Sequence, residues 1–257
     1  MGRRHFPRLL AAAALAVFGC TEGGGRATTV TVFAASSLAD VFRDLELIFE
    51  ANLEQTDVRL AFAGSHTLRL QLEQGAAADV FVSANEEHMQ ALLGAGLLEQ
   101  ARAVAHNQLA LVVPVDNPAN IATFVDLPRA RRLVIGNASV PIGSYTEELL
   151  QNSARVWGDE WLEKVRSRVV STESNVRLVR AKVELGEADA AVVYRTDALA
   201  SSHIGTVSIP GEMNVRARYR AGVVASSPVP ELALAWIDLL VSAEGRAALG
   251  EHGFLTE

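Results

Sequence analysis

The residues of this chain that could do chemistry are mostly small and uncharged. Serines stand at short polar turns at Ala35-Ser36-Ser37, Ala63-Gly64-Ser65 and Thr172-Glu173-Ser174-Asn175, with a related turn at Val140-Pro141-Ile142-Gly143-Ser144. A serine ahead of a helix can simply cap it, its oxygen accepting a backbone N–H. Where the turn follows a parallel strand, hydroxyls and free N–H groups can instead face a ligand. With the positive end of the helix dipole they form an anion site. Capping alone explains any one such turn; four of them in one chain are more informative, and an anion site requires that they converge, which periodicity does not decide. Nucleophilic catalysis is the other use of serine, and it needs a base in reach and a strained elbow. Ser37, Ser65 and Ser144 are the candidates for a secreted serine hydrolase, yet the chain has neither Gly-x-Ser-x-Gly nor Ser-x-x-Lys. The histidines (His5, His66, His88, His106, His203, His252) show no ligand spacing, and the single cysteine, Cys20, cannot form an internal disulfide, a cysteine-based zinc site or an iron–sulfur site. No catalytic residue and no cofactor is expected.

The elements that must position these turns alternate. Val30 to Ala35 reads as a strand, followed by Leu38, Val41, Phe42, Leu45 and Phe49 at helical spacing. Further strands are predicted at Val58–Phe62, Asp79–Ser83, Leu109–Val113 closed by Pro114, Leu133–Ile135, Val169–Val170 and Ala190–Tyr194. Helices are predicted from Leu68 to near Gly75, Glu86–Leu93, about Ser144 onward, Val176–Leu185, and on the face formed by Leu232, Trp236, Leu239 and Leu240. Repeated β-α-β units imply parallel sheets covered by helices, with ligands beyond the carboxyl ends of the strands. Asp79, Asp189 and Asp197 read as structural carboxylates, Trp157 and Trp161 as packing residues, and Arg177 as a salt-bridge residue on a lobe surface rather than an anion contact.

Length and charge narrow the class. The 257 residues suit two domains of roughly 100–150 residues. Net charge is −7, and beyond the first nineteen residues 20 basic side chains face 30 acidic ones. That balance disfavours a nucleic-acid backbone as partner, and none is expected. The N-terminus is an address: basic residues to Arg8, an apolar run from Leu9 to Phe18, then Gly19 and Cys20. The run is too short to span a bilayer. Val17-Phe18-Gly19-Cys20 resembles a bacterial lipoprotein signal, with Phe18 a departure from the usual small residue. The resemblance implies cleavage, a diacylglyceryl thioether on Cys20 and a stable membrane anchor. Residues 1–19 are then the signal and 20–28, with Gly23-Gly24-Gly25, a lipidated flexible tether.

Six stretches carry a wider resemblance: Val32-Phe-Ala-Ala-Ser-Ser-Leu38, Phe62-Ala-Gly-Ser-His-Thr-Leu68, Gly75 to Ala84, Val140-Pro-Ile-Gly-Ser-Tyr145, Asn175-Val-Arg177 and Gly186 to Ala198. In this order the chain resembles the molybdate-binding proteins of bacterial ABC importers, within the type II periplasmic binding proteins. The likeness runs from about residue 29 to 256. It implies two α/β lobes, each a mixed, mostly parallel sheet flanked by helices, joined by a two-stranded hinge, with the oxyanion between them. Lobe I would comprise 29–109 plus 218–257 and lobe II 110–217. Ser37 and Ser65 would each supply a hydroxyl and an N–H, Ile142 and Val176 backbone N–H groups, and Tyr194 its phenol. Ile142 replaces the usual alanine, His66 a common serine, and Arg220 a common proline. The bound ligand would be molybdate, with tungstate, then sulfate, then an organic anion as alternatives. The partners would be a membrane permease and its ATPase subunit, and the protein would work as a monomer in the periplasm or at the outer face of the cytoplasmic membrane.

The chemistry of that donor set is consistent with the ligand. Molybdate and sulfate only accept hydrogen bonds, whereas hydrogen phosphate must also donate one and finds no carboxylate in the set. Hydrogen bonds to charged groups contribute roughly 1.5–3 kcal/mol each, so seven donors suffice for micromolar to nanomolar binding after desolvation and closure costs. With no Lys, Arg or His among them, affinity is expected to be nearly flat across neutral pH, a loss near the histidine range implicating His66.

Overall fold

A computed structural model describes Met1 and residues 27–256. The expected signal, Cys20 and the tether up to residue 26 otherwise lie outside the described residues. From Thr28 the chain alternates as the apolar periodicity requires: β1 (Thr28–Ala35), a 3-10 turn (Ser36–Leu38), α1 (Ala39–Asn52), β2 (Thr56–Ala63), α2 (Ser65–Glu73), β3 (Val80–Ser83) and α3 (Glu86–Gly94). A long strand, β4 (Leu98–Pro114), leads to β5 (Leu133–Gly136), α4 (Pro141–Trp157), α5 (Asp159–Arg166), β6 (Val169–Glu173), α6 (Val176–Glu184), β7 (Ala190–Tyr194), α7 (Arg195–Leu199) and β8 (Ile204–Val207). β9 (Arg216–Val224), α8 (Pro230–Val241) and α9 (Ala243–Glu251) return to the first half.

The strand order is β2-β1-β3-β9-β4-β7-β5-β6, with β8 also paired to β4. β2, β1 and β3 run parallel, as do β6, β5 and β7. These are the βαβ crossover strands. The pairings of β3 with β9, β9 with β4, and β4 with β7 and β8 are antiparallel. The expected mostly parallel lobes are therefore parallel outside and antiparallel where they meet. β4 is the reason: Leu98 to Gln108 pair with β9, and Leu109 to Val112 pair with β7. One strand thus serves two sheets, giving a two-lobed molecule in which β4 and β9 run side by side between the lobes.

Two corrections concern β4 and α4. Only Leu109–Val113 was expected as strand, because Glu99-Gln-Ala-Arg-Ala103 lacks the β-branched density that marks one. Pairing with β9 makes it a strand. The helix expected from about Ser144 starts at Pro141, whose missing N–H costs nothing in the first turn.

Each lobe has its own aromatic anchor. In the first, the fully buried Trp236 of α8 meets Phe42 and Phe49 of α1 edge-on at 5.5 and 5.3 Å. In the second, Trp157 and Trp161 pack at 4.8 Å beside Phe124, and Trp161 Nε1 donates to the Val125 carbonyl. Both tryptophans are packing residues, as expected. Asp79 and Asp189 are structural: Asp79 accepts from Thr31 N–H and Ser227 Oγ, and Asp189 accepts from Arg131 N–H, Arg132 N–H and the Arg132 guanidinium.

Candidate functional site

Five turns at the carboxyl ends of β1, β2, β5, β6 and β7 meet between the lobes, and the cavity they enclose is lined by Ser37, Ser65, Ile142, Val176 and Tyr194 together. Ala35, Gly64, Ala84, Pro141 and Asn175 complete much of the wall. Among the described residues, no Lys, Arg, His, Asp or Glu lines it. The volume open to the centre of a water molecule is about 10 Å³. Restoring water's own radius gives a sphere of about 2.7 Å radius. That is the scale of one small ion, far below the roughly 300–1,000 Å³ of drug-sized sites.

Local sequence explains why each wall presents donors. Ser65 opens α2 and Val176 opens α6, so neither N–H has a carbonyl one turn earlier in its helix. Ile142 is the second residue of α4, behind a proline that has no N–H to offer, so it carries the first free amide of that helix. Asn175 caps α6 by accepting from Leu178 N–H at 3.1 Å, which leaves the Val176 amide for the cavity. α4 can begin so close to β5 because residue 143 is glycine: a Cβ there would lie 1.9 Å from the Asn137 carbonyl oxygen.

The hydroxyls are oriented from behind. Ala84 N–H donates to Ser65 Oγ at 3.1 Å, leaving the Ser65 proton to point elsewhere. Ser37 Oγ and Tyr219 Oη are 2.9 Å apart, and burial pushes the Tyr219 phenol far above its ordinary range, so it stays protonated. When Tyr219 donates, Ser37 keeps its own proton for the cleft. Tyr194 is 1% exposed, and its Oη has no hydrogen-bond partner among the described residues. Burial, with Tyr219 and Tyr145 nearby, raises its pKa well above the usual value, so it remains a donor. A buried, protonated, unpartnered hydroxyl costs free energy unless something accepts from it.

Other expectations resolve differently. Ser144 Oγ donates to the Pro141 carbonyl at 2.9 Å and does not line the cavity. Among the described residues, no carboxylate or imidazole is hydrogen-bonded to Ser37, Ser65 or Ser144, so the geometry gives none of them a base. His66 is half-buried outside the lining, its ring 5.7 Å from that of His88. Arg177 does form a salt bridge, but with Asp40 of the other lobe rather than on its own lobe's surface. Arg220 pairs with Glu86 and with the Ala101 carbonyl. Asp197, expected to be structural, is buried with one carboxylate oxygen unpartnered, and burial pushes its pKa up to about 7 against the pull of Arg180 and Arg177.

Sequence reasoning missed three contributors. Tyr219 lies on a strand that was not predicted. His88 crosses the cleft, with Nε2 3.0 Å from the Ser139 carbonyl. Gly64 is a point of lobe-to-lobe contact: a Cβ there would lie 2.3 Å from the Ser174 carbonyl oxygen and 3.3 Å from Val140 Cγ1. Its backbone, at φ −63° and ψ 139°, does not itself demand glycine, so no turn rule could have marked it.

Comparison with known proteins agrees with this geometry. Residues 30–255 match the family described as bacterial extracellular solute-binding protein. The molybdate-binding protein ModA of Mycobacterium tuberculosis (strain ATCC 25618 / H37Rv) is 35% identical over 239 residues, covering 92% of this chain and 87% of that protein. Among solved structures, the Azotobacter vinelandii periplasmic molybdate-binding protein superposes with a TM-score of 0.76 at 17% identity, covering 89% of this chain and 99% of that one. The M. tuberculosis sulfate-binding protein SubI gives 0.78 at 19%, covering 88% and 86%, so the fold is common to receptors of different oxyanions. Two lobes around a small donor-lined cavity, matched along nearly the whole described chain, make this protein a member of the bacterial extracellular solute-binding protein family.

Proposed function

We propose that this chain is the substrate-binding component of a molybdate ABC transporter, taking the oxyanion between its lobes and delivering it to a permease driven by an ATPase subunit. The observation that carries the reading is the wall of the cavity: helix-start amides and hydroxyls without a charged side chain, around a space the size of one small ion. Such a wall suits a fully ionised tetrahedral oxyanion and offers hydrogen phosphate no carboxylate for its proton. Ser37, Ser65, Ile142, Val176 and Tyr194 are the ligand residues in this reading. The 35% identity to ModA over most of both chains supports molybdate over sulfate.

The lobes are taken as 29–109 plus 218–257 and 110–217. The change of β4 partner between Gln108 and Leu109 supports the first boundary, and β9, which stays paired to β4 and gains β3 as a second partner from Arg220 onward, does so near the second. The receptor acts as a monomer outside the cytoplasm, held through lipid on Cys20. No helix among the described residues is long and apolar enough to cross a membrane. Closure around the ion shifts the population toward the form a permease recognises.

Titration calorimetry with molybdate, tungstate, sulfate and phosphate tests the assignment. Molybdate and tungstate should bind at micromolar to nanomolar concentration, sulfate more weakly and phosphate weakest. Binding of an amino acid or a sugar with no response to any oxyanion would overturn it.

A further inference from the structure

Arg177 is the second residue of α6, next to the Val176 amide, and its side chain leaves its own lobe. Nε donates to the Ser36 carbonyl at 2.8 Å, and Nη2 pairs with Asp40 Oδ2 at 2.5 Å. The Ser36 carbonyl and the Ser37 N–H belong to the same peptide group. One residue therefore sits beside a donor of lobe II while gripping the far end of a donor peptide in lobe I.

We propose that Arg177 is a positioning residue that latches the cleft shut and strengthens the Ser37 amide through its peptide bond without touching the ion. The inference rests on the oxyanion reading given above. A guanidinium on the carbonyl polarises the peptide and makes its N–H a better donor, as hydrogen-bond chains do in a low-dielectric interior. A dianion inside an uncharged wall thereby gains a cation two bonds removed from contact. The position is otherwise unfavourable: a cation in the first turn of a helix opposes the helix dipole. Asp40, in the first turn of α1, and the Ser36 carbonyl offset that cost only when the lobes are together. The Arg177 hydrogen bond holds the Asp40 carboxyl below its ordinary range against its burial, so the pair is ionised at neutral pH. Both side chains are partly exposed, and such an ion pair alone contributes little. The bond to the Ser36 carbonyl is the larger part of the latch.

The test is the release rate of molybdate from the full chain, measured by chase with excess tungstate, for wild type, Arg177→Ala, Arg177→Lys and Asp40→Asn. Arg177→Ala should speed release by about 10–100-fold, the loss of a charge-assisted hydrogen bond. Ligand-free melting should hold or rise slightly, because the latch exists only across a closed cleft and the open form loses a cation that opposes the helix dipole. Arg177→Lys should fall between, since it keeps the charge and loses the fork. Asp40→Asn should change release by only about 2–5-fold, because the bond to Ser36 survives. If Arg177→Ala does not fold, Arg177→Lys must still release faster than wild type. Wild-type binding with unchanged release in the Arg177 variants overturns the latch alone. Failure of the wild-type chain to bind either oxyanion overturns the reading beneath it.

Discussion

Replacing Gly64 with alanine should leave the first lobe folded and stop the cleft from closing. The backbone at Gly64 is already extended, a conformation alanine adopts freely, so nothing within the lobe resists the change. The added methyl meets the other lobe: it would lie 2.3 Å from the Ser174 oxygen, where ordinary contact begins near 3.4 Å. The obstacle is backbone carbonyl rather than a flexible side chain, so the lobes must stay about 1 Å further apart at that point. Hydrogen bonds of 2.7–3.2 Å do not survive a stretch of about 1 Å. The donors at risk are those of the second lobe: the Ile142 and Val176 amides and the Tyr194 phenol. Losing two of them costs about 3–6 kcal/mol, or roughly 10²–10⁴-fold in affinity. Calorimetry with molybdate measures that loss. Thermal melting without ligand should be unchanged or slightly higher, since alanine narrows the unfolded ensemble by about 0.4–1 kcal/mol. A Gly64→Ala protein that binds molybdate within threefold of wild type would refute the reasoning, because it would show that closure to this contact is not needed for binding.

Two further predictions concern single groups. Tyr194→Phe should weaken molybdate binding by ~1.5–3 kcal/mol while ligand-free stability holds or rises, because the hydroxyl removed is a buried donor without a protein partner; equal binding would mean that Tyr194 is not a ligand. His88 should bring pH dependence to a site whose wall has none. Burial lowers its pKa from 6.5 against the pull of Ser139 and Glu87, with Arg69 and His66 adding to the lowering. The closed cleft therefore prefers the neutral ring, with its proton on Nε2 facing the Ser139 carbonyl. Affinity should be full above pH 6.5 and decline as pH falls below it, since protonation favours an arrangement in which the ring is solvated. Titrations at micromolar oxyanion from pH 8 to 5 test this, and a decline that persists unchanged in His88→Gln would acquit the residue.

Much of the molecule was legible from local pattern. The strand–turn–helix units at Ala35-Ser36-Ser37, Ala63-Gly64-Ser65 and Glu173-Ser174-Asn175 follow from apolar periodicity and turn chemistry, both of which are written within a dozen residues. The long β4 and the whole of β9 were not legible in the same way. Their polar first residues become strand only because each pairs with the other across about a hundred residues of chain. Missing β9 meant missing Tyr219, which orients Ser37 from behind. Arg177 and Asp189 were both read as salt-bridge or structural residues, and both are. Which lobe Arg177 would reach was invisible, because the direction of a long side chain at a helix start depends on what the other lobe presents.

The sequence by itself determined the chemistry that could be held. Helix starts marked by serine, asparagine or proline at or beside the cap leave first-turn amides without a helical partner, and their order and spacing carried the family likeness from which the donors were assigned. Tertiary structure alone decided that those amides share one cavity, that Gly64 is the point where two backbones touch, and that a cation stands behind the Ser37 peptide. The physical reason is one of range. Caps and periodicity are set by neighbours three or four residues away, whereas the distance between two lobes is set by packing contacts that no local pattern encodes.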